Sequence, residues 1–189
     1  MTVKTDISRF DIHDELTAPE GSVKILKGVQ AGGEVSKLIG VLAGSPAALR
    51  AYARMRHELR GGMLADATRE RIALAVAERR SDTYSIARHA KAAREAGLGL
   101  DEVSRARAFK SNDPRHAALL EFLQALLDTE GRPAAHLAEE AREAGWNDEE
   151  LLEAVAEVAL NEFQTLVANA AALPQDQSDP TVLPAAAAA

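Results

Sequence analysis

The stretch over residues 66–97 constrains the fold more than any other part of this 189-residue chain. Its first half repeats apolar side chains at the spacing of one helix face. The polar residues 79–81 interrupt this pattern, and a second striped segment then continues to a glycine. A break this short returns the second helix alongside the first. The sequence therefore predicts a central antiparallel helix hairpin, with helices over residues 66–80 and 82–96.

The remainder of the chain is also typical of helices joined by short breaks. Apolar stripes, polar cap residues and glycine stops recur along it, and no segment alternates with the period of two that indicates a strand. The composition, 47% apolar but only 4% aromatic, favours close helix packing. We therefore predict an all-α fold with further helices at 35–42, 46–60, 115–129, 134–144 and 148–171, and two more starting at Ser22 and Leu100. The last helix carries the apolar stripe Leu151, Leu152, Val155, Val158, Ala159 and Phe163.

The domain organisation follows from changes in composition along the chain. Residues 1–20 are polar and mixed and are predicted to form an arm over the surface. Residues 21–173 hold all the predicted helices and form one domain. Residues 174–189 have low complexity, are rich in alanine and proline, and are predicted to be a flexible tail.

Composition also excludes several classes of protein. A net charge of −7 argues against a nucleic-acid partner, whose backbone repels acidic proteins. The chain has no cysteine, so it has no disulfide, no thiolate metal site and no thiol nucleophile. It has neither the apolar run of roughly 18 residues that a membrane helix needs nor the pattern of a secretory signal. We expect a soluble cytoplasmic protein with no membrane partner.

The hairpin carries a spaced set of polar residues. Glu70 is followed by eleven residues, then by Asp82-Thr83-Tyr84-Ser85, then by three residues and His89. Glu70 lies about three turns before the break and His89 about two turns after it, so antiparallel packing brings them to similar levels. Outside the hairpin, the charged stretch 54–60 is expected to be a solvated helix face, within which Arg56 is a candidate to reach an acidic substrate, as is Arg79.

This spacing resembles the motif of the AhpD-like alkylhydroperoxidase and carboxymuconolactone decarboxylase superfamily. That motif is a Glu, eleven residues, Cys-x-x-Cys, three residues and a His. Glu70 and His89 stand at the family's Glu and His, and Asp82 and Ser85 stand at its two cysteines. Tyr84 occupies a position where tyrosine is common in the family. The resemblance extends over about residues 18–173 and implies an AhpD-like helical bundle built on the central hairpin.

The resemblance implies acid–base chemistry without thiol chemistry. In the family, the Glu and His relay protons while the cysteine pair reduces a peroxide and closes as a disulfide. Asp82 and Ser85 cannot cycle in that way, because a peroxide needs a polarizable thiolate. The decarboxylase branch, which acts on a small lactone acid, does not depend on the cysteines. If the protein is an enzyme, we expect a decarboxylase-like lyase that acts on a small organic acid or lactone through Glu70 and His89, without cofactor or metal.

Each of these residues also has a simpler interpretation. Asp82, Tyr84 and Ser85 are the predicted substrate contacts, but Asp82 also suits a helix N-cap and Ser85 suits close packing. Glu70 suits the positive end of a helix dipole, and His89 suits a hydrogen-bonded core position. Two other functions remain open: a non-catalytic oligomeric protein that has lost the cysteines, and a redox protein that binds a metal or haem through His89.

Association into a homotrimer or homohexamer is also expected. The resemblance implies it, and an alanine-rich chain of many short helices has apolar stripes that symmetric association would cover.

Overall fold

The computed structural model describes residues 8–30 and 35–174. Within these ranges every regular element is an α-helix, which confirms the predicted fold class. None of the described helices is long and apolar enough to cross a membrane. The helices are α1 (Glu20–Gln30), α2 (Lys37–Leu42), α3 (Pro46–Arg60), α4 (Asp66–Arg79), α5 (Thr83–Glu95), α6 (Leu100–Arg107), α7 (Pro114–Asp128), α8 (Ala135–Glu143) and α9 (Asp148–Ala171).

The predicted hairpin is formed by α4 and α5 and lies at the centre of the fold. α4 packs against α5, α6 and α9, and its six residues 72–77 are all buried. Ser81, two residues after the end of α4, turns the chain with a positive φ of 52°. Asp82 then caps α5, because its carboxylate accepts a hydrogen bond from the Ser85 backbone N–H at 3.0 Å. This turn fixes the register in which the two helices meet.

The long helix α9 crosses the whole bundle. Asn147 and Glu150 begin it with a capping box, in which each side chain accepts a hydrogen bond from the backbone N–H of the other residue. The first half of α9 packs in a core with α4, α7 and Trp146. Its second half packs in another core with α2 and α3. Both cores therefore hold α9 in place beside the hairpin.

The described part of the arm, residues 8–19, lies along α2 and the end of α9. The backbone N–H of Arg9 donates to the carbonyl of Ala171 at 2.7 Å, and that of His13 donates to Gly40 at 3.0 Å. Ile12 approaches Gly40 so closely that a Cβ there would lie 2.5 Å from its methyl group. Gly40 therefore allows the arm to reach α2. Beyond Pro174, the predicted tail lies outside the described residues.

Candidate functional site

Glu70 and His89 meet across the hairpin. Glu70 Oε2 lies 2.8 Å from His89 Nδ1, and both side chains are largely buried. Because a carboxylate only accepts hydrogen bonds, Nδ1 carries the proton in this pair. The neutral imidazole then has its free lone pair on Nε2, which can act as a base.

Both residues line a cavity of about 120 Å³ between the hairpin, α3 and α9. Its polar wall holds side chains from all four helices, and Ala73, Ala92 and Leu160 supply the apolar part. The central hairpin alone does not form this space, because α3 and α9 close it from the other side. A small molecule in the cavity would therefore contact His89 on one side and side chains of α3 and α9 on the other.

Four arginines line the cavity: Arg56, Arg60, Arg69 and Arg88. Arg69 forms an ion pair with Asp66 at 2.6 Å. The other three form no ion pair within the described part of the chain. Burial lowers the pKa of Arg56, and the positive charges of Arg60 and Arg88 lower it further, against the opposing effects of Tyr52 and Glu70. The stretch 54–60 is thus only partly the solvated face that its charges predicted.

The second arginine candidate lies elsewhere. Arg79 forms an ion pair with Asp128 at 2.5 Å and does not line the cavity. Arg56 is therefore the arginine that the structure places within reach of a ligand beside His89.

Glu157 on α9 is a cavity residue that the sequence interpretation missed. Its side chain lines the cavity and is only 5% exposed. Burial raises its pKa to about 7, and the negative charges of Glu70 and Glu153 act in the same direction, while Arg69 and Arg60 oppose them. A large share of Glu157 is therefore uncharged at neutral pH, unlike an ordinary surface glutamate.

A chain of buried hydrogen bonds orients Glu157. The Tyr52 hydroxyl donates to Gln164 Oε1 at 2.8 Å, and the Gln164 amide donates to Asn161 Oδ1 at 2.7 Å. The Asn161 amide in turn donates to the Glu157 carbonyl at 2.8 Å and approaches its carboxyl at 3.4 Å. Glu157, Asn161 and Gln164 recur at helical spacing in a mostly apolar segment, and this pattern was the available sequence signal.

The three predicted substrate contacts lie at the turn of the hairpin. Asp82, Tyr84 and Ser85 are all buried, and none of them is among the described residues that line the cavity. Asp82 caps α5 through one oxygen, while its Oδ2 is buried without a hydrogen-bond partner in the described ranges. The Tyr84 hydroxyl accepts from the backbone N–H of Leu38 at 3.4 Å. Contact of these residues with a substrate stays a prediction.

A metal site was a third possibility for His89. Within residues 8–30 and 35–174, no group of three or more His, Cys, Asp or Glu side chains is arranged to hold a metal ion.

Comparison with known proteins supports the resemblance. A sequence model of the carboxymuconolactone decarboxylase family matches residues 46–128, which include the whole hairpin. No curated protein matches the sequence significantly.

Solved structures share the fold at low sequence identity. An uncharacterized peroxidase-related protein from Ralstonia eutropha JMP134, described as an alkylhydroperoxidase AhpD core, has a TM-score of 0.79 and 21% identity over 90% of this chain and 93% of that chain. A peroxidase-related protein from Silicibacter sp. TM1040 has a TM-score of 0.77 and 20% identity over 94% of this chain and 96% of that chain. The debrominase Bmp8, in complex with 2,3,4-tribromopyrrole, has a TM-score of 0.69 and 15% identity over 82% of this chain and 84% of that chain.

At these identities, the structural matches establish the fold alone. Residues 46–128 therefore match the carboxymuconolactone decarboxylase family, and this cysteine-free chain shares its fold with AhpD-like peroxidase-related structures.

Proposed function

We propose that the protein is a cofactor-independent acid–base catalyst that moves a proton at a carbon beside a carbonyl group of a small organic acid or lactone. The observation that carries the proposal is the 2.8 Å contact between Glu70 and His89 at the wall of a cavity. The family match over residues 46–128 supports a decarboxylase-like lyase as the enzyme class.

His89 is the group that exchanges the proton with the substrate. Its Nε2 takes a proton from the carbon, and the electron pair of the broken C–H bond moves toward the carbonyl oxygen. The imidazolium that forms is stabilised by the Glu70 carboxylate at its Nδ1. In a decarboxylation the C–C bond to the carboxylate breaks in place of the C–H bond, carbon dioxide leaves, and the electron pair moves toward the carbonyl oxygen. An imidazolium that has taken its proton from solvent then protonates that carbon. General acid–base catalysis of this kind contributes a factor of roughly 10²–10⁴ in rate.

The proposal is tested with small acids and lactones that bear an acidic C–H bond. We would follow proton exchange of 4-oxopentanoate in heavy water by NMR, and carbon dioxide release from 4-carboxymuconolactone. We expect Glu70→Gln and His89→Gln each to lower the rate on an accepted compound by a factor of about 100. His57→Gln is the matched control, because His57 is exposed on α3 and does not line the cavity.

Full turnover by both cavity variants, with the fold intact, would show that the pair is not the relay. A folded wild-type protein that acts on none of these compounds would favour the non-catalytic alternative.

A further inference from the structure

We infer that Arg56 and Arg88 form the binding site for a carboxylate group of the ligand. The choice of a small acid as ligand rests on the proposed function, but the site itself rests on separate observations. These concern the burial of the two arginines, their missing partners and the charges around them.

The first observation is that these two arginines differ from comparable ones. Six arginines in the described ranges are half-buried rather than exposed. Arg56 and Arg88 are the two that have no carboxylate partner there, in a chain of net charge −7. The other four form ion pairs: Arg69 with Asp66, Arg71 with Glu102, Arg107 with Glu78 and Arg115 with Glu150.

The second observation is the cost of leaving a guanidinium half-buried and unpaired. Removing a charge from water is unfavourable unless an opposite charge or hydrogen bonds replace the water. Arg88 lies 5.6 Å from the centre of the Tyr84 ring, a cation–π contact that leaves its N–H donors unused. A bound anion in the cavity would satisfy the donors of both arginines.

The third observation is that the acidic residues of the cavity are already paired or only partly charged. Glu70 bonds His89, and Asp66 bonds Arg69. Burial raises the pKa of Glu157 to about 7, so much of it carries no charge at neutral pH. The positive charges of Arg56, Arg60 and Arg88 therefore dominate the cavity. A guanidinium fork binds a carboxylate through two parallel N–H···O bonds, which is the geometry a small acid offers.

The positions of the two arginines fit this role. Arg88 directly precedes His89 on α5, and both side chains line the cavity, which Arg56 lines from α3. A carboxylate held by the arginines would keep the rest of a small ligand beside His89. The binding site and the relay would then be neighbouring parts of one cavity of about 120 Å³.

The test compares a charged probe with its uncharged analogue. Binding of 4-oxopentanoate and of 4-oxopentanamide to the full-length protein at pH 7 is measured by titration calorimetry. We expect the acid to bind about tenfold more tightly than the amide, and Arg56→Met and Arg88→Met each to remove that difference. Arg54→Met is the control, because Arg54 is exposed on the same helix and does not line the cavity.

Several results would overturn the inference. They are equal affinity for acid and amide, no detectable binding of the acid, wild-type affinity in both cavity variants, or tighter binding of inorganic sulfate than of the acid. If Arg56→Met does not fold by circular dichroism, Arg56→Lys replaces it. Weaker acid binding by this variant supports the inference, because lysine keeps the charge and loses the fork, and unchanged binding contradicts it.

Failure of this inference can be told apart from failure of the proposed function. Proton exchange of 4-oxopentanoate is read on the same samples. Proton exchange by the wild type, together with binding that is unchanged in the arginine variants, would refute the carboxylate site but not the relay. Binding that depends on the arginines without any exchange would refute the relay and leave the carboxylate site standing.

Discussion

Glu157 faces the same cavity as Glu70, and the negative charge of Glu70 adds to the effect of burial in raising the pKa of Glu157. The two carboxyl groups have different surroundings: Glu70 bonds His89, and Glu157 lies beside the Asn161 amide. Pairs of titratable groups in contrasting environments often divide the acid and base roles of a reaction. In this cavity the Glu70–His89 pair suits the base, and Glu157, which is partly protonated at neutral pH, suits an acid or a neutral hydrogen-bond donor.

The raised pKa of Glu157 predicts a pH dependence of stability. A carboxyl whose pKa is about 7 in the folded protein and 4.5 as a model value holds more protons when folded. Its favourable contribution is therefore complete below about pH 4.5 and is lost as the pH rises through about 7. We therefore compare the free energy of unfolding of Glu157→Gln with that of the wild type. We expect this difference to favour the variant more at pH 8 than at pH 4.5, by on the order of 1–3 kcal/mol.

Urea unfolding at pH 4.5, 6, 7 and 8 measures this difference. Glu149→Gln serves as the control, since Glu149 is an exposed residue in the first turn of the same helix. If the stability difference between wild type and Glu157→Gln is the same at every pH, the carboxyl is ionised normally and the acid role fails.

The cap at the start of α5 predicts the outcome of changing Asp82. Asp82→Ala removes the acceptor of the Ser85 N–H and should lower the free energy of unfolding by about 0.5–2 kcal/mol. Asp82→Asn keeps an oxygen acceptor for the Ser85 N–H, so it should be much less harmful. Thermal unfolding of the three proteins compares them. A fully stable Asp82→Ala protein that has lost ligand binding would instead favour the predicted substrate contact.

Much of the helix organisation could be predicted because its signals are local. Asn147 and Asp82 mark helix starts, and Gly97 and Gly145 adopt positive φ angles of 92° and 99° at helix ends. The predicted bounds of α3 and α9 agree with the structure, and those of the hairpin differ by one residue at their ends. Residues close in sequence determine these features, so no knowledge of tertiary contacts is needed.

The buried face of α9 could not be predicted in the same way. The expected stripe included Leu152 and Phe163, which the structure leaves exposed, with Leu152 at 71%. The helix has apolar residues on both sides, so periodicity does not decide which side faces the core. Glu157 is buried instead, on the same face of α9 as Gln164. Gln164 accepts a hydrogen bond from the hydroxyl of Tyr52 on α3. That partner lies 112 positions away in the sequence.

The cavity, too, could be predicted from the sequence only in part. The spacing of Glu70 and His89 along one hairpin allowed their juxtaposition to be predicted. The arginine side of the cavity depends on the packing of α3 against α9, two helices that are remote in sequence. Charges along α3 alone indicate a solvated face, and only tertiary packing half-buries Arg56.

The exposed apolar residues of α9 are where we propose that copies of this chain associate. Leu152 and Leu166 are 71% and 59% exposed, and 14 residues place them on the same side of the helix, about 21 Å apart. Phe163, which is 37% exposed, lies between them on the same side of α9, so the three residues form one exposed apolar stripe. Contiguous apolar patches mark association sites. We expect light scattering to show a trimer or hexamer of the 20.1 kDa chain. Leu152→Glu and Leu166→Glu should shift it toward the monomer.

Leu100→Glu is the matched control for this surface, because Leu100 is also exposed but lies at the start of α6. A wild-type protein that scatters as a monomer at micromolar concentration would refute the association. Dissociation by Leu100→Glu to the same extent as by the α9 variants would place the interface elsewhere.

The last prediction concerns the thiol chemistry that this chain lacks. With no cysteine, the wild-type protein should not reduce a hydroperoxide at the expense of a dithiol, because neither Asp82 nor Ser85 can provide a thiolate. Asp82 and Ser85 stand three residues apart at the start of α5, and the Asp82 carboxylate accepts a hydrogen bond from the Ser85 backbone N–H at 3.0 Å, so cysteines at these positions should lie close enough to bridge. We expect the double variant Asp82→Cys, Ser85→Cys to form a disulfide, which titration of free thiols before and after reduction measures. Dithiol-dependent peroxide turnover by the wild-type protein after metal removal would contradict the first expectation, and two permanently free thiols in the folded variant would contradict the second.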